Sequence, residues 1–468
     1  MPRIIVLGGG VCGLATAMML ARDGNDVTVL ERDAEPVPES LDEAWESWQR
    51  RGVAQFRQPH YVLSRARHVL DGELPDVRDA LVADGARRFD PLSTLPASIM
   101  DRAPRPGDER FVTLTARRPA FERVFARAAE AEPGVEVRRG VSVESVLPGP
   151  SAGDGAVHVA GVRTSGGEEL HADLVVDAMG RSSKLPTWLL AAGAAPIHEE
   201  VADCGFVYYT RFFRGTLPEF RAPITTPIGS ISILTLPGDR DTWSVTIYGS
   251  TGDHPIKQLR HSDRWSAVMA SLPLHAHWVE GEPLGDVVAM SGIADRYRRI
   301  APDGRPIATG VALVADAAAC TNPSLGRGIS LGLVHAASLP AIVRAHLDDP
   351  RAVSEAWDAS TEERLTPWYR ATVAFDRARR AQVDAILEGR PVQATDDPAG
   401  KATAALVVAL RHDADVFRGF VDIMSCLALP QEVMSRPGFA ERVSELDAAH
   451  DPPPPPGPSR EQLVALLA

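Results

Sequence analysis

The run Arg3-Ile4-Ile5-Val6-Leu7-Gly8-Gly9-Gly10-Val11-Cys12-Gly13-Leu14 decides the fold. A short apolar segment with β-branched residues passes into glycines at 8, 10 and 13, then into a helical pattern through Ala15, Met18, Met19 and Leu20. This spacing predicts a buried strand, a tight turn and a helix N-terminus. Gly8 permits the turn, Gly10 lets a pyrophosphate approach the backbone, and Gly13 lets helix and strand pack closely. A second strand, Asp26-Val27-Thr28-Val29-Leu30, ends in Glu31-Arg32. That puts an acid about 20 residues past the glycines, where it accepts hydrogen bonds from a ribose. Glycines alone carry little weight, but strand, glycines, helix, strand and acid in that order make a dinucleotide grip. Gly8, Gly10, Val11, Cys12, Gly13, Glu31 and Arg32 are assigned to it.

The 468 residues suffice for two or three domains' worth of core. Hydrophobic content of 44% and charged content of 24% are those of a globular protein. A net charge of −13 argues against nucleic acid or an anionic membrane as partner. Lysine occurs only at 184, 257 and 401. The cysteines at 12, 204, 320 and 426 form no C-x-x-C pair, which points to reduced thiols, and Cys12 is given no redox role. The chain enters a strand at once, with no targeting segment and no run of the ~18 apolar residues that a membrane span needs. A cytoplasmic, soluble protein is expected; the oligomeric state is open.

Helices are expected over 41–50 and 60–74, with Arg65 and Arg67 flanking the apolar face of the second. A strand is expected over 111–115, and an amphipathic helix after Arg117-Arg118-Pro119 carries Phe121, Val124 and Phe125 at helical spacing. Short strands at 135–137, 141–146 and 157–162 lead to a buried strand ending in Asp177 and a glycine turn. From 204 to 250 the period becomes two: 205–213, 229–236 and 243–250 read as antiparallel strands separated by Pro/Gly turns. A helix at 264–272, strands at 285–291 and 311–316, and a helix at 328–345 follow. Beyond Asp348 the pattern is helical to His450, then prolines 452–456 form a stiff spacer before a terminal helix, 460–467.

The late segment Ala315-Asp316-Ala317-Ala318-Ala319-Cys320-Thr321-Asn322-Pro323-Ser324-Leu325-Gly326-Arg327-Gly328 repeats the theme of strand, acid and glycines before a helix. With it the chain, over roughly residues 1–345, resembles the flavin monooxygenases of the para-hydroxybenzoate hydroxylase type and the wider group of FAD-dependent oxidoreductases. The resemblance implies an α/β fold: a Rossmann-like FAD-binding domain of the glutathione-reductase type, an inserted antiparallel sheet as substrate domain, and a helical C-terminal region. The expected boundaries are 1–200 with 285–345, 201–284, 346–450 and 451–468. Asp316, Pro323, Gly326 and Gly328 match the family's late motif and are assigned to the cofactor; the resemblance implies that Asp316 binds the ribityl chain, that Gly328 and Ile329 lie near the isoalloxazine ring, and that Glu31 holds the adenosine ribose. Arg118 matches a cofactor-contacting position, Tyr61-Val62-Leu63-Ser64-Arg65-Ala66-Arg67 is similar to the family's arginine-bearing helix, and Arg65 and Asp177 are expected to contact the cofactor as well. The middle motif departs: Asp177-Ala178-Met179-Gly180-Arg181-Ser182-Ser183-Lys184 stands for the family's Asp-Gly-x-x-Ser-x-x-Arg, which puts direct use of NADPH or NADH in question and leaves room for a separate flavin reductase.

The function so implied is an FAD-dependent monooxygenase that inserts one oxygen atom from O2 into a small hydrophobic or aromatic molecule through a C4a-hydroperoxyflavin. No side chain is singled out as catalytic. Substrate contacts are expected from His60, Tyr209, Phe212, Trp243 and Tyr248, although aromatics on strands are most often core. His275-Ala276-His277 lacks the further ligands of a metal set. The alternatives are an alkene reductase of the geranylgeranyl reductase type, a flavin halogenase, disfavoured because no lysine precedes Lys184, and an FAD-fold binding protein without turnover.

Overall fold

The computed structural model describes residues 1–150, 155–392, 397–451 and 456–468. At its centre lies a five-stranded parallel sheet in the order Val311–Leu313, Leu174–Asp177, Arg3–Leu7, Asp26–Glu31, Val135–Arg139. The central strand alternates its side chains between two cores, as a pleated strand must. Ile4 and Val6 face a cluster built from the helices Val11–Arg22, Arg118–Ala131 and Gly328–Ala336, including Leu14, Met18, Phe121, Phe125 and Leu333. Ile5 and Leu7 face a second cluster with Val159, Leu185, Trp188 and Trp368. Burial on both faces explains why these strands read as nearly continuous apolar runs.

The expected antiparallel strands form as Phe206–Arg214, Ile231–Pro237 and Thr242–Ser250, with Thr225–Ile228, Glu282–Pro283 and Val288–Met290 completing that sheet. One face, carrying Val207, Tyr209, Phe213, Ile233, Trp243 and Val245, packs on Trp265, Met269 and Leu272. The terminal helix Arg460–Leu467 docks on the same core through Leu463 and Leu467. Of the expected proline spacer at 452–456, residues 452–455 lie outside the described residues.

Several expected elements are revised. The helix expected over 60–74 begins only at Ser64, because Pro59–Val62 finds main-chain partners on Thr113–Arg117 and becomes a strand. Phe111 belongs to a short 3-10 turn, so that partner strand starts two residues later than its pattern suggested. The helix expected over 41–50 stops at Glu46, and Arg50 is drawn inward to buried carboxylates. The helix expected over 328–345 is two, Gly328–Ala336 and Leu339–His346; Pro340 sits in the first turn of the second, where its missing N–H costs no bond. Against the sequence expectation, Gly328–His346 is long and apolar enough to cross a membrane (19 residues, mean hydropathy 1.4), but 61% of that window is buried in the protein.

Two stability predictions follow from buried polar groups. Arg460 clasps the buried Asp253 carboxylate through both guanidinium nitrogens at 2.6 Å. Arg460→Ala leaves that charge unpaired and should lower the unfolding free energy by about 2 kcal/mol, read by chemical denaturation. His275 is 1% exposed and neither ring nitrogen has a hydrogen-bond partner. Burial, then the neighbouring His277, lowers its pKa to about 4. The unfolded chain therefore takes up the proton first, so stability present above pH 6.5 is lost as pH falls toward 4. In His275→Leu this part of the acid-side loss should disappear from a denaturation series over the same window.

Candidate functional site

The carboxyl ends of the parallel strands open into a cavity of about 370 Å³. It is lined by Gly8, Gly10, Val11, Cys12, Gly13, Glu31, Arg32, Arg118, Asp316, Pro323, Gly326, Gly328 and Ile329, so the N-terminal and late motif segments meet there. Gly8 has a φ of +104°, a left-handed conformation that favours glycine. A Cβ on Gly13 would lie 2.1 Å from the Gly8 carbonyl oxygen, which is the close packing that the motif requires. A Cβ on Gly10 would meet nothing within 4 Å: it faces open cavity, and a pyrophosphate has room there. The helices starting at Val11 and Gly328 have no side-chain cap, so their first N–H groups and positive dipole ends are free for an anion or an electron-rich ring.

Glu31 is 5% exposed and more engaged than the sequence suggested. Its Oε2 accepts from Gly9 N–H and Arg50 Nη2, both at 2.9 Å, and its Oε1 accepts from Asp33 N–H at 2.8 Å. Arg50 also bonds Asp33 at 3.2 Å and lies 3.4 Å from Glu122, whose Oε1 accepts from Arg118 Nε at 2.8 Å. This buried network sets Arg118 on the cavity wall. Arg50 lines the cavity as well, but no local motif marks it: its role exists only once Glu31, Asp33 and Glu122 converge. Asp316 also lines the cavity, its pKa raised by burial and drawn back by Arg118 and Arg181. A carboxyl so placed suits a hydroxylated chain. The Cys12 thiol is pushed up to about 12 by burial, which fits its assignment to packing rather than redox chemistry.

His60 also lines the cavity. Its Nδ1 lies 2.9 Å from the Gln58 carbonyl and is therefore the protonated nitrogen; burial, then Arg118, lowers the ring's pKa to about 3 and keeps it neutral. The apolar end is walled by Leu234, Leu236, Met290, Ile293 and Met424. None of the sheet residues on this wall is charged.

Other expected contacts lie elsewhere. Asp177 sits behind the wall: it accepts from Met179 N–H at 3.0 Å and from the Ser183 hydroxyl, shaping the turn whose Ala178, Met179, Gly180, Arg181 and Ser182 do line the cavity. Arg65 points to the Cys426 carbonyl and over the Trp368 ring, tying its helix to the C-terminal region. Tyr209 and Trp243 face the opposite side of the sheet, in the Trp265 core. Phe212 and Tyr248 have the right parity but are covered, by Trp45 (4.9 Å, edge-on) and by Tyr208 (5.0 Å, stacked). Strand alternation was legible; which rings are covered depends on distant chain.

The FAD dependent oxidoreductase family matches residues 3–40. Protein Rv3254 of Mycobacterium tuberculosis is 25% identical over 363 residues, 73% of each chain. The chloroplastic zeaxanthin epoxidase of Oryza sativa subsp. japonica is 32% identical over 94 residues, 20% of this chain and 12% of that one. Among solved structures, PqsL of Pseudomonas aeruginosa, a probable FAD-dependent monooxygenase, superposes with a TM-score of 0.60 at 17% identity, covering 83% of this chain and 99% of PqsL. OxyS anhydrotetracycline hydroxylase of Streptomyces rimosus gives 0.56 at 18% identity, covering 92% and 76%. Residues 3–40 thus match the FAD dependent oxidoreductase family, and the chain has the fold of PqsL and OxyS.

Proposed function

We propose that this chain is an FAD-dependent monooxygenase that inserts one oxygen atom of O2, by hydroxylation or epoxidation, into a small, uncharged, mainly hydrophobic organic molecule. The observation that carries this reading is a single cavity whose lining joins the glycine–acid grip to the uncharged aliphatic side chains of the antiparallel sheet. In this reading residues 1–200 and 285–345 hold the cofactor, 201–284 present the substrate sheet, and 346–450 close the site from behind.

The residues fit the cofactor. The turn at Gly8–Gly13 and the helix it opens receive the pyrophosphate, Glu31 and Arg32 the adenosine ribose, Asp316 the ribityl hydroxyls, and Gly328 and Ile329 the ring. Bound FAD supplies the electron transfer and oxygen activation. The chain orients and shields: Leu234, Leu236, Met290 and Ile293 keep water from the reacting region and hold the apolar substrate. His60, neutral with Nδ1 occupied, offers Nε2 as a hydrogen-bond acceptor in the cavity. NADPH or NADH is the proposed electron donor, directly or through a separate flavin reductase, the second route being favoured by the altered motif at 177–184.

Anaerobic addition of NADPH and NADH to the FAD-loaded protein, followed in the visible spectrum, tests this. Bleaching by a nicotinamide with oxygen-dependent recovery is expected of a self-contained monooxygenase. No bleaching, with normal reoxidation after chemical reduction, assigns the reductase to another protein. Turnover without oxygen consumption favours the alkene reductase, and failure to bind FAD overturns the proposal. Gly13→Ala, which pushes a methyl group into the Gly8 carbonyl, should weaken FAD binding by about 10- to 100-fold. Gly72→Ala, on an exposed helix position with open space, should leave it unchanged.

A further inference from the structure

Behind the loop that carries Asn322–Leu325, five polar side chains are shut off from solvent: Asp376, Ser324, Asn322, Tyr208 and Asp295 are each 6% exposed or less. They come from four places in the chain. Asp376 lies within the long helix Thr366–Leu387, Tyr208 on the cavity-facing side of the antiparallel sheet, Asp295 on Ala294–Arg299, and the other two on the loop itself. Ser324 Oγ donates to Asp376 Oδ1 at 2.7 Å, Tyr208 OH donates to Asn322 Oδ1 at 2.7 Å, and Asn322 N–H donates to Asp295 Oδ1 at 2.8 Å. Of the five, only Ser324 lines the cavity.

The arrangement is costly unless it is used. Asp376 Oδ2 and the Asn322 amide nitrogen each lack a hydrogen-bond partner, although that amide faces the same carboxyl and draws its pKa down. Among the described residues no arginine or lysine pairs with Asp376: Arg327, whose charge draws its pKa down, spends Nη1 on Thr372 at 2.9 Å and Nη2 on the Ile423 carbonyl at 3.3 Å. A buried carboxyl without a cation favours its protonated form.

We propose that Asp376 and Ser324 form a proton relay into the cavity, Asp376 storing the proton and Ser324 Oγ handing it to, or taking it from, a group bound beside Pro323–Gly326. In the forward step the Asp376 carboxyl O–H gives its proton to Ser324 Oγ while the proton already on Ser324 leaves to the acceptor in the cavity. Asp376 is left a carboxylate, which the Ser324 hydroxyl then stabilises; the reverse step restores it. No electron pair changes owner. Asp376 acts through Ser324 and is a positioning and proton-storing residue, not one that touches the ligand.

The electrostatics agree with this role. Burial lifts the Asp376 pKa to about 7, against the pull of the Ser324 and Asn322 groups, with Asp295 pushing it up and Arg327 drawing it down. Tyr208 and Tyr248 from the sheet and Cys204 ahead of it face the same carboxyl, each with its own pKa raised by burial and so neutral. A donor that titrates near neutrality transfers protons in both directions at working pH.

Two readouts test the relay, and only the second rests on the flavin reading. Infrared pH titration of the protein without added cofactor should show a protonated-carboxyl C=O band that disappears with a midpoint near 7, is absent from Asp376→Asn, returns in Asp376→Glu, and persists with a higher midpoint in Ser324→Ala. In the FAD-loaded, dithionite-reduced protein, the pH profile of reoxidation by O2 should break near the same midpoint. That break should vanish in both Asp376→Asn and Ser324→Ala, with a fall in rate on the order of 10²-fold. No titrating band, or a Ser324→Ala profile like the wild type's, overturns the relay. A colourless protein that keeps the band overturns the flavin reading instead.

Discussion

Everything at the cavity depends on the parallel, in-register pairing of four strands drawn from three distant parts of the chain. Leu7 stands beside Leu30 on one side and Asp177 on the other, and Asp177 stands beside Leu313. Because the strands run the same way, their carboxyl ends fall at one edge, and whatever follows each strand is delivered to the same place. The glycine turn, Glu31, the Ala178–Ser182 turn and Asp316 follow those strands. A slip of one residue in any pairing would invert the side chains between the two cores, so the apolar burial on both faces fixes the register.

That edge would be a poor place for so much charge without the network around Arg50. Glu31, Asp33 and Glu122 are buried or nearly so, and Arg50 and Arg118 balance them inside a low-dielectric pocket. Such a network is weak evidence of net stability, but removing one member strands the rest, so it fixes geometry. Its effect is to hold Arg118 rigidly at the cavity wall and the Glu31 carboxylate at the end of its strand.

The other end of the cavity obeys a simpler rule. The antiparallel sheet turns one face to the Trp265 core and the other to the cavity, and alternation sorts its side chains between them. On the cavity face, Tyr208 and Tyr248 stack on each other and Phe212 is covered by Trp45, and the strand Ile231–Pro237 gives Leu234 and Leu236 to the cavity lining. The same sheet face lends Tyr208 to the polar cluster around Asp376, so one face of the sheet serves both the apolar wall and the buried polar set behind the loop.

The sequence by itself determined the nucleotide grip, the strand–acid motifs at 177 and 316, the antiparallel insertion and the amphipathic helix at 118–131. Each of these rests on local rules: glycine geometry, period two or 3.6, and a short distance from strand end to acid. Only the tertiary structure decided what depends on residues distant in the chain. Pro59–Val62 became a strand because Thr113–Arg117 offered it hydrogen bonds. Arg50 became a site residue because three acids converge on it. Asp177 and Arg65 proved to support the cavity's surroundings instead of lining it, and Asp376 lies beside Ser324, 52 residues away, only after the long helix has folded back onto the loop. Local periodicity carries no information about such meetings; burial and complementary charge do.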